Sequence, residues 1–256
     1  MNPRINFYTD YDLDCINCFV RLRKHDPAGL EYRVKSKGLD LNLVKRVVES
    51  DEGDGFEVWK KYYQLQLNHR ISDIEDKLTR YRQIWSGIDR NFVEIVNQRF
   101  DSMSWNYEQY DILVGIFYSQ ASWGKSNKLG ISALRDPDES YHFPGYELML
   151  THTFEAVDQF YEIRPCNDWY VWALAEITAA ILVYCDLDMV ESLWPSVKEK
   201  CTNNERLFQT GSYPHLRDPF VRLKPIWDGR DDFKDYVFSS LEVLQEFSLA
   251  QIKGSN

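Results

Sequence analysis

The sequence predicts a mainly helical protein with a small antiparallel β-sheet, an α+β fold. Three observations carry that expectation. Apolar residues recur three or four positions apart through most of the chain, the spacing of amphipathic helices. Two short β-branched and aromatic runs, YDILVGIFYS and KLGISAL, stand mid-chain at a hairpin-like separation. The 256 residues are 44% hydrophobic with only 12 Gly and 9 Pro, so a sizeable core is available and extensive disorder is not expected.

The elements follow in order. Tyr11 to Lys24 spaces Leu13, Ile16, Phe19, Val20 and Leu22 as a helix entered from Thr9 or Asp10. Leu39 to Glu49 repeats the pattern with Leu39, Leu41, Val44, Val47 and Val48, and SDEGDG closes it as a turn. Phe56 to Trp85 carries a stripe of Phe56, Trp59, Tyr63, Leu67, Ile71, Ile74, Leu78, Tyr81 and Trp85, one long helix or a bent pair. Ile88 to Phe100 continues with Phe92, Ile95 and Val96. The strands are Tyr110 to Ser119 and Lys128 to Leu134, joined by the polar loop QASWGKSN and followed by the loop RDPDESYHFPG. Helices resume over Tyr146 to Ile163 and Asp168 to Tyr184. In MVESLWPSVKEK, Pro195 kinks or splits a further helix. Asn203 to Arg230, with three prolines and irregular patterning, reads as mostly loop, and Asp231 to Ile252 as a closing amphipathic helix. The texture separates a helical region, 1–100, from a region of small sheet plus helices, 101–256. One continuous domain is the alternative.

A formal charge of −10 and a pI near 5.0 disfavour nucleic acid and anionic membranes as partners, because both need a basic footprint. The basic clusters at Arg21 to Lys24 and Arg33 to Lys37 are short and interleaved, as on solvated helix faces. The first fifteen residues lack the basic-then-apolar pattern of a secretory signal, and no run of 18 uncharged apolar residues is present. Five scattered cysteines read as reduced thiols, so the expected compartment is cytoplasmic. A peptide or protein partner remains compatible with this composition.

One residue is out of place. In NDWYVWALAEITAAILVYC, Asn167 to Cys185, the span from Trp169 onward is apolar, aromatic, small or hydroxyl-bearing except for Glu176. A helix apolar on every side is a core helix, and an unpartnered ionised carboxylate there costs several kcal/mol. Glu176 therefore needs a proton, a cationic partner, backbone donors or a metal. The preceding helix, YELMLTHTFEAVDQFY, carries His152 and, three positions on along the same face, Glu155. Two consecutive helices joined by a short link pack as neighbours, so His152 and Glu176 are expected to approach each other.

This layout, a strand pair, a helix with THTFEA and a helix with WALAEITAA, resembles the zincin-like metallopeptidases whose third zinc ligand is a glutamate. The resemblance covers roughly residues 105–185. It implies a zincin-like helix pair in the C-terminal half, a metal-dependent hydrolase ancestry and zinc as cofactor, with His152 and Glu176 as metal ligands and Glu155 as a catalytic base. The sequence departs from the family at two points. Thr153 stands at the position of the catalytic glutamate, and Ala156 at that of the second histidine. A degenerate relative without hydrolysis at the usual site, or a non-catalytic helical binding protein, fits these residues better than an active peptidase.

Four lesser features complete the reading. Cys15 and Cys18 form CINC inside an amphipathic helix with no second pair, the pattern of buried thiols more than of redox or metal chemistry. SWGKSN hints at a phosphate-binding loop but lacks the full GxxxxGK(S/T) pattern, and a hairpin loop is the better reading. YPHLRDP places His215 and Arg217 in an irregular segment that could supply a group to a site formed elsewhere or be merely a turn. Trp169, Trp172 and Trp194 form either a core cluster or an aromatic ligand pocket.

Overall fold

A computed structural model of the chain describes residues 2–23, 34, 38–117, 124–160, 167–198 and 213–254. It is mainly helical with a small three-stranded sheet. The strands are β1 (Arg4–Tyr8), β2 (Gln109–Gly115) and β3 (Lys128–Ser132), in the order β1-β2-β3. Both pairings are parallel, with Phe7 opposite Ile112 and Ile112 opposite Leu129. The expected antiparallel hairpin is therefore corrected. β2 and β3 are separated by the twelve residues 116–127, long enough to carry the chain back to the starting edge. β2 is buried almost without alternation from Ile112 onward, as in a sheet covered on both faces. β1 has no counterpart in the sequence reading. It lies in region 1–100 and pairs with β2 of region 101–256.

The helices α1 (Tyr11–Arg23) and α2 (Leu41–Glu49) match expectation, α2 being capped by Asp40. α3 (Glu52–Trp85) is one helix of 34 residues rather than a bent pair. It begins inside the expected SDEGDG turn, where Gly55 is needed because a Cβ would lie 2.5 Å from the Val47 carbonyl oxygen. Trp59, Tyr63, Leu67, Ile74, Leu78, Tyr81 and Trp85 form its buried stripe, while Ile71 is exposed. α4 (Asp89–Arg99) follows.

Asp14 ties these elements to the sheet. Its carboxyl is fully buried and accepts hydrogen bonds from the Tyr63 hydroxyl (2.6 Å) and the Ile116 backbone N–H (2.7 Å). Gly115 makes room for it, since a Cβ there would sit 2.2 Å from Asp14 Oδ1. Cys15 and Cys18 lie on the same buried face outside any disulfide, Cys18 donating to Asp14 Oδ1 at 3.6 Å, and burial pushes the Cys15 thiol up to about 11. At pH 8, Cys15 in the folded protein should react with a thiol reagent roughly a hundredfold more slowly than in the unfolded chain. Comparable rates in native and denaturing buffer would contradict this burial.

In the C-terminal half, α5 (Pro137–Ser140) and the start of α6 (Phe143–Asp158) occupy RDPDESYHFPG, which the sequence reading assigns to loop. Pro137 and Pro144 sit in first turns, where proline suits a helix. α7 (Asp168–Tyr184) starts from the Asn167 cap and is buried from Val171 to Val183. Pro195 ends the next helix, α8 (Leu187–Leu193), and opens a 3-10 turn over Pro195–Val197. The expected loop at 203–230 is corrected beyond residue 213. A 3-10 turn (Pro214–Leu216) leads into α9 (Arg217–Gly229), which tolerates Pro225 within its length, and residues 203–212 lie outside the described set. The closing helix is two, α10 (Phe233–Gln245) and α11 (Leu249–Lys253), because Ser248 and Gln251 form a capping box that starts a new one. α6 and α7 pack against each other, and α10 and α11 both pack on α7. Among the described residues, no helix is long and apolar enough to cross a membrane.

Candidate functional site

Glu176 sits near the middle of α7 and is 4% exposed. As expected, it faces the preceding helix, and the group it meets there is Tyr146. The Tyr146 hydroxyl donates to Glu176 Oε2 at 2.6 Å, and the side chains of Trp172 and Tyr213 also hydrogen-bond the carboxyl. All three donors are neutral. Burial dominates them and pushes the Glu176 carboxyl up from 4.5 to about 8, with Glu147 adding to the rise. Glu176 thus holds its proton at neutral pH. Its enclosure is aromatic: Trp172 meets Tyr213 edge-on at 5.2 Å and lies near-parallel to His215 at 6.2 Å, and Tyr146 meets Tyr184 at 6.2 Å.

His152 belongs to a second cluster. It is fully buried, its Nδ1 is 3.3 Å from Glu155 Oε2, and its ring lies under Trp105 with centroids 3.9 Å apart and planes 10° apart. Phe100 adds a tilted contact at 4.7 Å. Glu155 is equally buried. Both its oxygens accept from the Tyr110 hydroxyl at 2.6 Å, and the Asn106 backbone N–H reaches one of them at 3.4 Å. Burial lowers the His152 pKa against the pull of Glu155, so the ring is neutral at pH 7. With its proton on Nδ1 it donates to Glu155, which leaves Nε2 an acceptor without a hydrogen-bond partner among the described residues. Gly124, at φ +67°, closes over this cluster, since a Cβ on it would lie 3.2 Å from the Glu155 backbone nitrogen. SWGKSN is thus represented among the described residues by a backbone packed on α6, and Ser122 and Trp123 lie outside them.

Helix geometry separates the clusters. Tyr146 and His152 are six residues apart, which places them about 9 Å apart along α6 and about 120° apart around it. The carboxyl on α7 meets the Tyr146 face; the imidazole lies on the face shared with Glu155. His152 and Glu155 come together as the spacing predicts, whereas Glu176 finds a tyrosine. Beside His152 stand the two positions at which the sequence departs from the resemblance. Thr153 turns its hydroxyl back onto the Met149 carbonyl at 2.8 Å, and Ala156 offers only a methyl group. Among the described residues, no three His, Cys, Asp or Glu side chains are grouped so that they could hold a metal ion.

Tyr146, Tyr110, Trp105 and Tyr213 escape the sequence reading. The signal for Tyr146 was its place on the helix before Glu176, and tyrosine carries no charge to advertise itself. His215 does arrive beside Trp172, as its irregular segment allowed. No family model matches the chain, and neither does any curated protein or any solved structure.

Proposed function

We propose that the chain is a non-hydrolytic relative of the zincin-like metallopeptidases that works by binding rather than by cleaving. The observation that carries this reading is the closure of the THTFEA helix around His152. Its ring is stacked beneath Trp105 and held at Nδ1 by Glu155, while Thr153 and Ala156 supply neither a base nor a second ligand. Glu155, the base that the resemblance suggests, spends both oxygens on Tyr110 and shares one of them with His152. Glu176, the third-ligand candidate, is engaged by three neutral donors. Both carboxyls therefore serve hydrogen-bond networks that join elements of the core.

Elemental analysis of protein purified without chelators or added metal tests this function. Well under one zinc per chain, on the order of a tenth, is expected from a helix that keeps one of the two ligands it would usually supply. One zinc per chain, lost together with peptidase activity in His152→Ala, would restore the hydrolase.

A further inference from the structure

The short helix α11 depends on its docking. It has five residues, too few to be stable alone, and rests on α7 and on the 3-10 turn Pro214–Leu216. Ile252 is fully buried, Lys253 Nζ lies 5.0 Å from the centre of the Trp169 ring, and the Tyr170 hydroxyl donates to the Phe247 carbonyl at 2.9 Å just before the helix. At its C-terminus Gly254, at φ +68°, sits against His215, since a Cβ there would lie 2.6 Å from the imidazole Nδ1. His215 in turn meets Tyr213 edge-on at 5.9 Å and lies near-parallel to Trp172 at 6.2 Å. One imidazole thus joins the turn, α7 and α11.

The imidazole suits this place only while it is neutral. Its Nε2 is buried and has no hydrogen-bond partner among the described residues. A protonated ring would carry an N–H at both nitrogens, and the one at Nε2 would find no acceptor. The Trp172 face, at 6.2 Å, stands just past the reach of about 6 Å within which it would hold a cation. The titratable and charged groups on the surrounding elements are Tyr213 in the turn, Arg217 and Asp218 at the start of α9, Asp168 and the protonated Glu176 on α7, and Lys253 on α11. None of them offsets burial, which lowers the ring's pKa from its ordinary 6.5.

We propose that His215 is a pH-sensitive latch for α11, which stays docked on α7 while the ring is neutral and is released when mild acid protonates it. Release uncovers the face of α7 on which Trp169 and Trp172 meet edge-on at 5.5 Å. The docked state binds fewer protons at His215 than the released one, so docking is strongest above pH 6.5 and weakens as pH falls below it. The latch goes beyond the binding function above, uses none of the residues around His152, and is tested without zinc or an activity.

The test is native-state amide exchange on the full chain. Its reporters are the N–H of Ile252, which donates to the Ser248 carbonyl at 3.1 Å, and that of Gly254, which donates to the Gln251 carbonyl at 3.2 Å. From about pH 7.5 to about pH 5 their protection factors should fall several-fold, to a ceiling of about thirtyfold, and by more than those of α10 amides. In His215→Phe, whose ring stays neutral, this excess fall should disappear. A fall no larger than that of α10, or an equal fall in His215→Phe, would overturn the proposal. Should His215→Phe already lose protection at neutral pH, the parent decides alone: the fall must set in near pH 6.5, and onset only in the ordinary carboxylate range, about 4, overturns the latch.

Discussion

Replacing Glu176 with Gln should remove a large pH dependence of stability between pH 4.5 and 8. The folded chain holds the Glu176 proton up to about 8, against an ordinary value of 4.5. Over that window the folded state binds more protons than the unfolded state, so this group's contribution to stability is full below 4.5. It declines as pH rises and levels off above about 8. The local slope approaches about 1.4 kcal/mol per pH unit, and the whole decline is on the order of 5 kcal/mol. Glutamine resembles the protonated acid in shape, so the variant and the parent should be about equally stable at pH 5. At pH 8 the variant should be the more stable by a few kcal/mol. Chemical denaturation of both proteins across this range measures the difference directly. Parallel curves would mean that Glu176 is ionised in the folded chain at neutral pH.

The second large effect belongs to Tyr110. Its hydroxyl supplies the shortest hydrogen bonds to Glu155, both at 2.6 Å, inside a cluster where Glu155, His152 and Tyr110 are all fully buried. Tyr110→Phe leaves the ring's packing against Trp105 in place and strips that donor from a carboxyl that water does not reach. A loss of about 2–3 kcal/mol is expected. Glu155→Gln should also destabilise, because the introduced amide N–H groups would face the Tyr110 hydroxyl and the donor of His152. In a double-mutant cycle the pair should couple by about 1–2 kcal/mol. A coupling near zero would mean that the two side chains meet without depending on each other. His152 adds a check within the same network: its lowered pKa implies stability that is lost as pH falls through its ordinary range, and His152→Gln should abolish that component.

How much of this was legible in the sequence differs from element to element. The amphipathic stripe from Phe56 to Trp85 located the helical span of α3, though not whether it was one helix or a bent pair, because nine large residues at helical spacing admit few other readings. The burial of α7, and with it the anomaly of Glu176, followed from a run too apolar to face water. The partner of Glu176 did not follow. The sequence placed it on the preceding helix, but which residue of that helix faces α7 depends on rotation about the axis, and Tyr146 and His152 differ by about 120° in that respect. Tyr213 was hidden in a segment whose prolines suggested loop, although Pro214 and Pro219 stand where a 3-10 turn and a helix begin.

The sheet misled for a different reason. Length between strands was read as a hairpin, yet the run from Ile112 to Phe117 lacks the polar alternation of a half-exposed antiparallel strand. Its continuity was the available sign of parallel pairing. The third strand, RINFY, has one buried residue, Phe7, and so offers little pattern to read. Its pairing with β2 depends on a connection of a hundred residues, 9–108, that no local pattern encodes.

The central claim is that Glu176 is a protonated acid held by Tyr146, Trp172 and Tyr213. The most direct measurement follows the side-chain carboxyl carbon of Glu176 by NMR in 13C-glutamate-labelled protein, through a pH titration with and without added zinc. The account predicts one titration centred near 8 and unmoved by zinc. A midpoint in the ordinary carboxylate range, or a resonance that zinc shifts at stoichiometric amounts, would contradict it.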